Sequence, residues 1–178
     1  MLVVRTQGDI DSYLARVRQA AFDVRAWMSE QVGEPLDTLR RMKFDAVGYH
    51  PIDGYALNLV EQINQTWTYL VALAAARQLL DLHPEAGGYR LAPGAHAAQP
   101  LDIMSEADGL VGAETFAAVD PHNNRKLALD LEKMAKRTET HRYIFFMSPK
   151  FPGNRSLPDL KLPGNAETDG VQIWSVDV

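Results

Sequence analysis

The chain of 178 residues contains no cysteine. Disulfides, thiolate zinc sites, iron–sulfur clusters and cysteine nucleophiles are therefore excluded, and any bound metal must use carboxylate, histidine or carbonyl ligands. The histidines are spread along the chain without the spacing of metal ligands, and we interpret each as a turn, cap or surface residue. They are His50, His83, His96, His122 and His141.

Long apolar runs and several catalytic motifs are also missing. The longest apolar run, Tyr69 to Ala76, is too short to cross a bilayer, and residues 1–8 lack the basic and apolar regions of a signal peptide. We therefore expect a cytoplasmic protein with no membrane partner. There is no Gly-x-Ser-x-Gly, no Gly-x-x-x-x-Gly-Lys and no Gly-x-Gly-x-x-Gly after a strand, which argues against the enzyme classes that use these motifs.

Positive charge is in short supply. The chain has 18 lysine and arginine residues against 23 aspartate and glutamate residues, a net charge of -5. This balance argues against binding nucleic acid by bulk electrostatics, because such binding depends on basic side chains that displace counterions. Local basic clusters remain, and they consist of Arg40, Arg41 and Lys43, and of Arg125, Lys126, Lys133, Lys136 and Arg137.

Hydrophobic residues make up 46% of the chain, enough to bury the core of an α/β domain. Apolar residues at helical spacing predict helices over Asp9–Val32, Leu36–Lys43 and Tyr55–Leu82. We divide the chain into an N-terminal helical segment over residues 1–54, packed on a core over residues 55–148, and a loop-rich extension over residues 149–178.

From Tyr89 onward the pattern changes to strands. It predicts strands and one helix in the order Tyr89–Leu91, Leu101–Met104, Leu110–Val119, a helix over Asn124–Lys136, then Tyr143–Met147 and a final strand over Val171–Val176. Residues 107–109 form a hairpin turn between the second and third of these strands. The segment from Pro149 to Gly170 is rich in proline, glycine and asparagine and is predicted to be loop.

Two acidic residues interrupt otherwise apolar strands. Asp102 follows Pro100-Leu101, and Glu114 lies inside the run from Leu110 to Ala117. A buried carboxylate is costly unless a metal, a cation or hydrogen bonds compensate it, and two carboxylates on neighbouring strands suit Mg²⁺. Glu61, on the preceding helix, is a third candidate. The residues leave open that Asp102 and Glu114 lie at strand edges and pair with basic side chains, with Glu61 simply exposed.

The order helix, hairpin strands, helix, strand from Leu57 to Ser148, with Pro-Leu-Asp at one strand and a glutamate in the next, resembles the PD-(D/E)XK nuclease superfamily. The resemblance implies a restriction-endonuclease-like core with a mixed central sheet flanked by helices, to which the N-terminal helical segment is added. It also implies that Asp102 and Glu114 bind Mg²⁺ or Mn²⁺, that Glu61 assists, and that the substrate is a nucleic acid.

One position departs from the family pattern. A lysine is expected two residues after the strand glutamate, but Phe116 stands there. The resemblance then implies that Lys126 or Lys133, on the following helix, supplies the positive charge. The alternative is that both lysines belong to the solvated face of an amphipathic helix. The chain is thus either a metal-dependent nuclease or an inactive protein-binding or regulatory module on the same fold, and a homodimer also stays open.

Overall fold

The computed structural model describes residues 1–94, 99–160, 168 and 170–177. The chain divides into two compact units. The sheet unit consists of Met1–Ile10 and Val71–Val178, and the helical unit consists of Asp11–Leu70. Two long helices run across the boundary between the units, so each contributes one part to either unit.

A seven-stranded mixed sheet forms the sheet unit. Its strands are β1 (Leu2–Val4), β4 (Tyr89–Leu91), β5 (Ile103–Ser105), β6 (Val111–Ala117), β7 (His141–Met147), β8 (Arg155–Ser156) and β9 (Val171–Ser175). Their spatial order is β1-β4-β5-β6-β7-β9-β8. The β6–β7 and β7–β9 pairs are parallel and the others are antiparallel. The chain is therefore an α/β protein with a mixed sheet packed against helices.

Helix α4 (Lys126–Ala135) connects β6 to β7 and covers one face of the sheet. Such a crossover is needed because parallel neighbours cannot be joined by a tight turn. The buried cluster on this face contains Leu101, Phe116, Leu127, Leu131, Met134, Ile144, Phe146, Val171 and Ile173. In β7, residues 143–146 are all buried, which confirms the predicted buried strand.

The opposite face of the sheet meets the C-terminal part of α3 (Leu59–Leu82). Tyr89 of β4 donates a hydrogen bond from its hydroxyl to the carbonyl of Leu79 at 3.0 Å. His83, directly after α3, is joined to Tyr143 of β7 by a 2.7 Å hydrogen bond. Since successive strand residues point to opposite faces, Tyr143 belongs to this face and Ile144 to the face of α4.

The helical unit contains most of α1 (Gln7–Ser29), α2 (Pro35–Phe44), a small hairpin of β2 (Gly48–Tyr49) and β3 (Ala56–Leu57), and the N-terminal half of α3. Gln62 joins these elements. Its amide nitrogen donates to the carbonyl of Ala20 at 2.9 Å, and its oxygen accepts from the amide of Tyr49 at 2.8 Å. Among the described residues, no helix is long and apolar enough to cross a membrane.

Several predicted boundaries were wrong. Residues 55–57 are not helical, because Ala56 and Leu57 pair with the preceding strand and Asn58 caps α3. The region after Pro149 was predicted as loop, but Arg155–Ser156 pairs with β9. The strand expected from Leu101 begins at Ile103, and β1 was not predicted at all. Residues 161–167 and 169 of the predicted loop lie outside the described residues, whereas the final strand is confirmed at Val171–Ser175.

Gly112 in β6 is required by close packing. A Cβ atom at this position would lie 2.5 Å from Cδ1 of Leu101 and 3.1 Å from Cγ of Glu139. We expect Gly112→Ala to lower the free energy of unfolding by about 1–3 kcal/mol, the usual cost of overpacking a core. Urea denaturation followed by circular dichroism measures the change.

Gly8→Ala is the matched control for this prediction. Gly8 lies in the first turn of α1, and an added Cβ would meet only Oγ1 of Thr6, at an ordinary 3.6 Å. Because alanine is the better helix former, this variant is expected to be neutral or to gain up to about 1 kcal/mol. Equal stability of the two variants would contradict the packing argument at Gly112.

Candidate functional site

Asp102 and Glu114 face each other across the β5–β6 pair. The antiparallel register sets Ile103 opposite Ala113 and Met104 opposite Gly112. Continued by one residue, the same register sets Asp102 opposite Glu114, on the face that α4 covers. Like charges in directly opposite positions destabilise a sheet, so this arrangement needs compensation from neighbouring groups.

Asp102 ends the ladder between β5 and β6. Its Oδ2 atom accepts hydrogen bonds from the backbone amide of Thr115 at 2.8 Å and from the Thr115 hydroxyl at 3.0 Å. The carboxylate thus takes the place of a backbone acceptor that the short strand β5 does not provide. Among the described residues, no hydrogen bond reaches the other oxygen, Oδ1.

Glu114 lies in the middle of β6 and is 4% exposed. Its Oε1 atom accepts from Nζ of Lys133 on α4 at 2.7 Å and from the backbone amide of Asp102 at 3.4 Å. Burial raises the pKa of Glu114, the charge of Asp102 raises it further, and Lys133 opposes both effects. The sequence left open that Glu114 lies at a strand edge and pairs with a basic side chain. Glu114 does pair with a lysine, but it lies in the middle of its strand.

Asp130 is a third carboxylate of this cluster, and the sequence analysis missed it. It is buried in α4, where Oδ1 accepts from Nζ of Lys126 at 2.6 Å, while Oδ2 is buried and has no hydrogen-bond partner among the described residues. Burial is the main cause that raises the pKa of Asp130, and the charge of Asp102 adds to it. Asp130 lies three residues after Leu127 and directly before Leu131, so helical spacing alone places it on the apolar side of α4. Its burial could therefore have been predicted from the sequence.

The two predicted lysines reach the cluster from α4. The Lys133 side chain is 45% exposed and the Lys126 side chain 43% exposed, so each ammonium group lies between the carboxylates and solvent. Nζ of Lys126 is also 5.8 Å from the ring centroid of Phe116, the residue at the expected motif-lysine position. Lys133 pairs with Glu114 and Lys126 with Asp130, while Asp102 is held by Thr115 beside them. We call five residues the carboxylate–lysine cluster, namely Asp102, Glu114, Lys126, Asp130 and Lys133.

The donor set suits a hard cation held by few protein ligands. Oε2 of Glu114 and Oδ1 of Asp102 have no hydrogen bond within the described residues, and the buried Oδ2 of Asp130 is unpartnered. The three carboxylates do not form a compact group of metal ligands. Binding of Mg²⁺ or Mn²⁺ by Asp102 and Glu114 therefore stays a prediction, in which water would complete the shell because Mg²⁺ usually keeps several waters.

Glu61 lies in the first turn of α3, within the helical unit. Its side chain is exposed, and its backbone amide donates to Oδ1 of Asn58 at 2.9 Å. The described contacts of Glu61 are thus those of an ordinary position in a helix first turn. Its assisting role stays a prediction.

Two of the histidines are buried, and both lie in turns as predicted, since the His50 ring accepts hydrogen bonds from the amides of its own turn and His83 caps the short turn after α3. His50 is 4% exposed and His83 is 8% exposed. His83, Glu85 and His141 bring one donor atom each to within 4.8 Å of one another, and they are the one such group found among the described residues. The ligands are distant in sequence, so spacing did not reveal them. His96 lies outside the described residues.

The Lys133–Glu114 pair generates an asymmetric prediction for stability. Lys133→Met leaves Glu114 buried without its cation, and we expect it to cost about 1–3 kcal/mol of unfolding free energy. Glu114→Gln leaves a half-exposed lysine that water can solvate, so it should cost less. Urea denaturation of both variants at neutral pH measures the difference.

Lys136→Met, on the exposed side at the end of the same helix, is the matched control and should change stability by less than about 0.5 kcal/mol. A cost for Glu114→Gln equal to that for Lys133→Met would show that the buried charge is not what Lys133 compensates.

No family model, curated protein or solved structure matches this chain. Any function must therefore be inferred from the residues and their geometry.

Proposed function

We propose that this protein is a metal-dependent phosphodiesterase that acts on nucleic acid, with its centre at the carboxylate–lysine cluster. The observation that carries the proposal is the meeting of three groups from three elements. Asp102 at the start of β5, Glu114 in the middle of β6 and the ammonium group of Lys133 on α4 lie on one face of the sheet, and Lys133 contacts Glu114 at 2.7 Å.

The order of elements supports the proposal. The chain runs α3, β4, β5, β6, α4, β7, with β5–β6 antiparallel and β6–β7 parallel. This is the order that the PD-(D/E)XK resemblance implies, with the aspartate and the glutamate on neighbouring strands. We extend the proposal to the fold, as a divergent restriction-endonuclease-like core.

Lys133 offers an answer to the departure at Phe116. In β6, Glu114 and Phe116 point to the same face, and α4 packs over that face. A lysine at position 116 would carry its charge from the strand, whereas Lys133 carries an ammonium group to Glu114 from the helix above. The positive charge is therefore present although its sequence position has changed.

The chain's own groups suggest a division of work. Asp102 and Glu114 would hold the cation, and a bound Mg²⁺ or Mn²⁺ would supply an activated water and a partner for the phosphate oxygens. Lys133 stabilises the negative charge that develops on the phosphate, since its ammonium group is half-exposed beside Glu114. Asp130 positions Lys126 through the 2.6 Å ion pair.

The exposed basic residues on α4 and at its two ends form a surface that could contact the phosphates of the substrate. Arg125 has a side chain that is 76% exposed, Lys126 and Lys133 are half-exposed, and Lys136 is exposed. Phosphate contacts by such residues position a nucleic acid without reading its sequence. Because the whole chain carries a net charge of -5, we expect the nucleic acid to bind this local basic surface and to be repelled by the rest of the chain.

The test is a nicking assay on supercoiled plasmid and on labelled RNA with Mn²⁺ or Mg²⁺. We expect metal-dependent cleavage that Glu114→Gln and Asp102→Asn each lower by at least about 100-fold, since each removes a metal-binding charge. Lys133→Met should lower cleavage while leaving the affinity for Mn²⁺ comparatively unchanged. Isothermal titration calorimetry with Mn²⁺ separates the two effects.

Glu132→Gln is the control, because Glu132 is exposed on α4 and pairs only loosely with Arg125, at 3.8 Å. It should cleave as the unchanged protein does. Absence of cleavage with both metals and both substrates, or cleavage that Glu114→Gln does not alter, would refute the proposed activity.

A second candidate is supported by the surface of the helical unit. Large hydrophobic side chains are exposed along its helices and its hairpin, namely Phe22, Met28, Val32, Leu36, Leu39, Phe44, Tyr49, Tyr55, Val60, Ile63 and Trp67. Surface of this kind marks protein contacts, and we propose a second copy of the chain as the partner. This candidate is compatible with either an active or an inactive cluster.

The dimer is tested by size-exclusion chromatography with light scattering. We expect a mass of twice the 19.8 kDa of one chain. Phe44→Ser, at a side chain that is 74% exposed, should shift the mass toward that of one chain without lowering stability. A single-chain mass at high micromolar concentration would exclude the homodimer.

A further inference from the structure

Three side chains with metal-binding atoms meet on the face of the sheet opposite to α4. His83 is buried directly after α3, Glu85 follows it in a short turn, and His141 is the first residue of β7. The ring centroids of the two histidines are 4.2 Å apart. Nδ1 of His83 lies 3.1 Å from Oε1 of Glu85.

From this geometry we propose that His83, Glu85 and His141 form a binding site for Zn²⁺ or a similar divalent transition-metal ion. Two imidazoles and one carboxylate are the protein ligands of many zinc sites that keep a fourth position open to water or a substrate. The site is distinct from the carboxylate–lysine cluster, and it rests on none of that cluster's residues.

The distances between donor atoms suit tetrahedral coordination. Bonds of about 2.0–2.1 Å from zinc to nitrogen or oxygen set neighbouring ligand atoms about 3.3 Å apart in a tetrahedron. The His83–Glu85 separation of 3.1 Å is close to this value, and all three donor atoms lie within 4.8 Å of one another. His141, which is half-buried at the start of a strand, lies within 4.8 Å of both of the other ligand atoms.

Tyr143 provides the outer contact that metal-bound histidines normally have. Its hydroxyl oxygen lies 2.7 Å from Nε2 of His83 and also accepts from Nε2 of Gln172 at 3.3 Å. A histidine that binds metal through Nδ1 carries its proton on Nε2, where it donates to a neighbour that fixes the ring. The Tyr143 oxygen is placed to accept the hydrogen bond from that Nε2–H group, and Nδ1 of the buried imidazole then lies toward Glu85.

The backbone around His83 is well defined. The His83 amide donates to the carbonyl of Leu79 at 2.9 Å, and its own carbonyl accepts from the amide of Ala86 at 3.0 Å. Gly87 then reverses the chain with a φ of 73°, a left-handed conformation that favours glycine. Two ligands thus come from one tight turn and the third from the central sheet, so the site requires little ordering when a metal binds.

The ligand types separate this site from the carboxylate–lysine cluster. Imidazole nitrogens favour zinc, copper, nickel and iron, whereas carboxylates with water favour Mg²⁺ and Mn²⁺. The neighbours Tyr143 and Ile144 mark the two faces, since Ile144 packs in the core beneath α4. The sheet therefore separates two proposed sites of different metal preference.

The test is isothermal titration calorimetry of the full chain, stripped of metal with a chelator, with ZnCl₂. We expect one Zn²⁺ per chain and a rise in the thermal unfolding midpoint, because a ligand that binds only the native state stabilises it. His141→Ala and Glu85→Gln should each weaken binding by more than about tenfold, the smallest loss usual for an outer-contact residue. Tyr143→Phe should weaken it by about 10–100-fold.

The controls are His122→Ala and Glu114→Gln. His122 is an exposed histidine whose Nδ1 lies 3.0 Å from Oδ1 of Asp120. This pair has one histidine and one carboxylate, as the proposed site has, but it lacks the second histidine. Both controls should keep one Zn²⁺ per chain. The proposal is overturned if Zn²⁺ does not bind, if Glu114→Gln removes the binding, or if His141→Ala leaves it unchanged in a variant whose circular dichroism is native.

Discussion

The parallel pairing of β6 with β7 is the constraint on which the rest of the structure depends. The register runs over seven residue pairs, from Val111 with His141 to Ala117 with Met147. Parallel neighbours require a crossover, and α4 provides it across one face of the sheet. Three residues of the carboxylate–lysine cluster are placed by this crossover, because α4 brings Lys126, Asp130 and Lys133 to the face on which the β5–β6 pairing sets Asp102 and Glu114.

Burial makes the cluster costly, and this cost is an argument for function. Glu114 and Asp130 are almost fully buried, and burial raises the pKa of each. A core made only for stability gains more from apolar side chains of similar volume than from a buried ion pair. Oδ2 of Asp130 is buried without a hydrogen-bond partner among the described residues. A buried polar atom of this kind needs an explanation, and a bound ion or water is one of those that apply.

Much of the sheet and of the first cluster could be predicted from the sequence. Acidic residues inside apolar strands made Asp102 and Glu114 candidates, and the resemblance to the nuclease superfamily implied Lys126 or Lys133 as the source of positive charge. The choice between the two lysines could not be predicted, since it depends on how α4 is rotated over β6. The structure pairs Lys133 with Glu114 and Lys126 with Asp130.

Pairing of short strands and contact between distant residues limit what a sequence can predict. Strand β1 has three residues and no alternation long enough to recognise, and its pairing with β4 depends on a partner 85 or more residues away. His83 and His141 meet for a similar reason, because α3 ends beside the start of β7. Their contact follows from the topology of the chain, and the spacing of histidines along the sequence does not predict it.

The two proposed ligand sets lie on opposite faces of one sheet, and this arrangement has a physical consequence. Residues at neighbouring positions of β7 point to opposite faces, so the strand that supports Tyr143 on one side supports the apolar floor beneath α4 on the other. Tyr143 and Phe145 are stacked on the first face, with ring centroids 5.4 Å apart, while Phe116 and Phe146 are stacked on the second at 5.5 Å. Close-packed aromatic layers resist displacement, so each ligand set can order its own face without distorting the other.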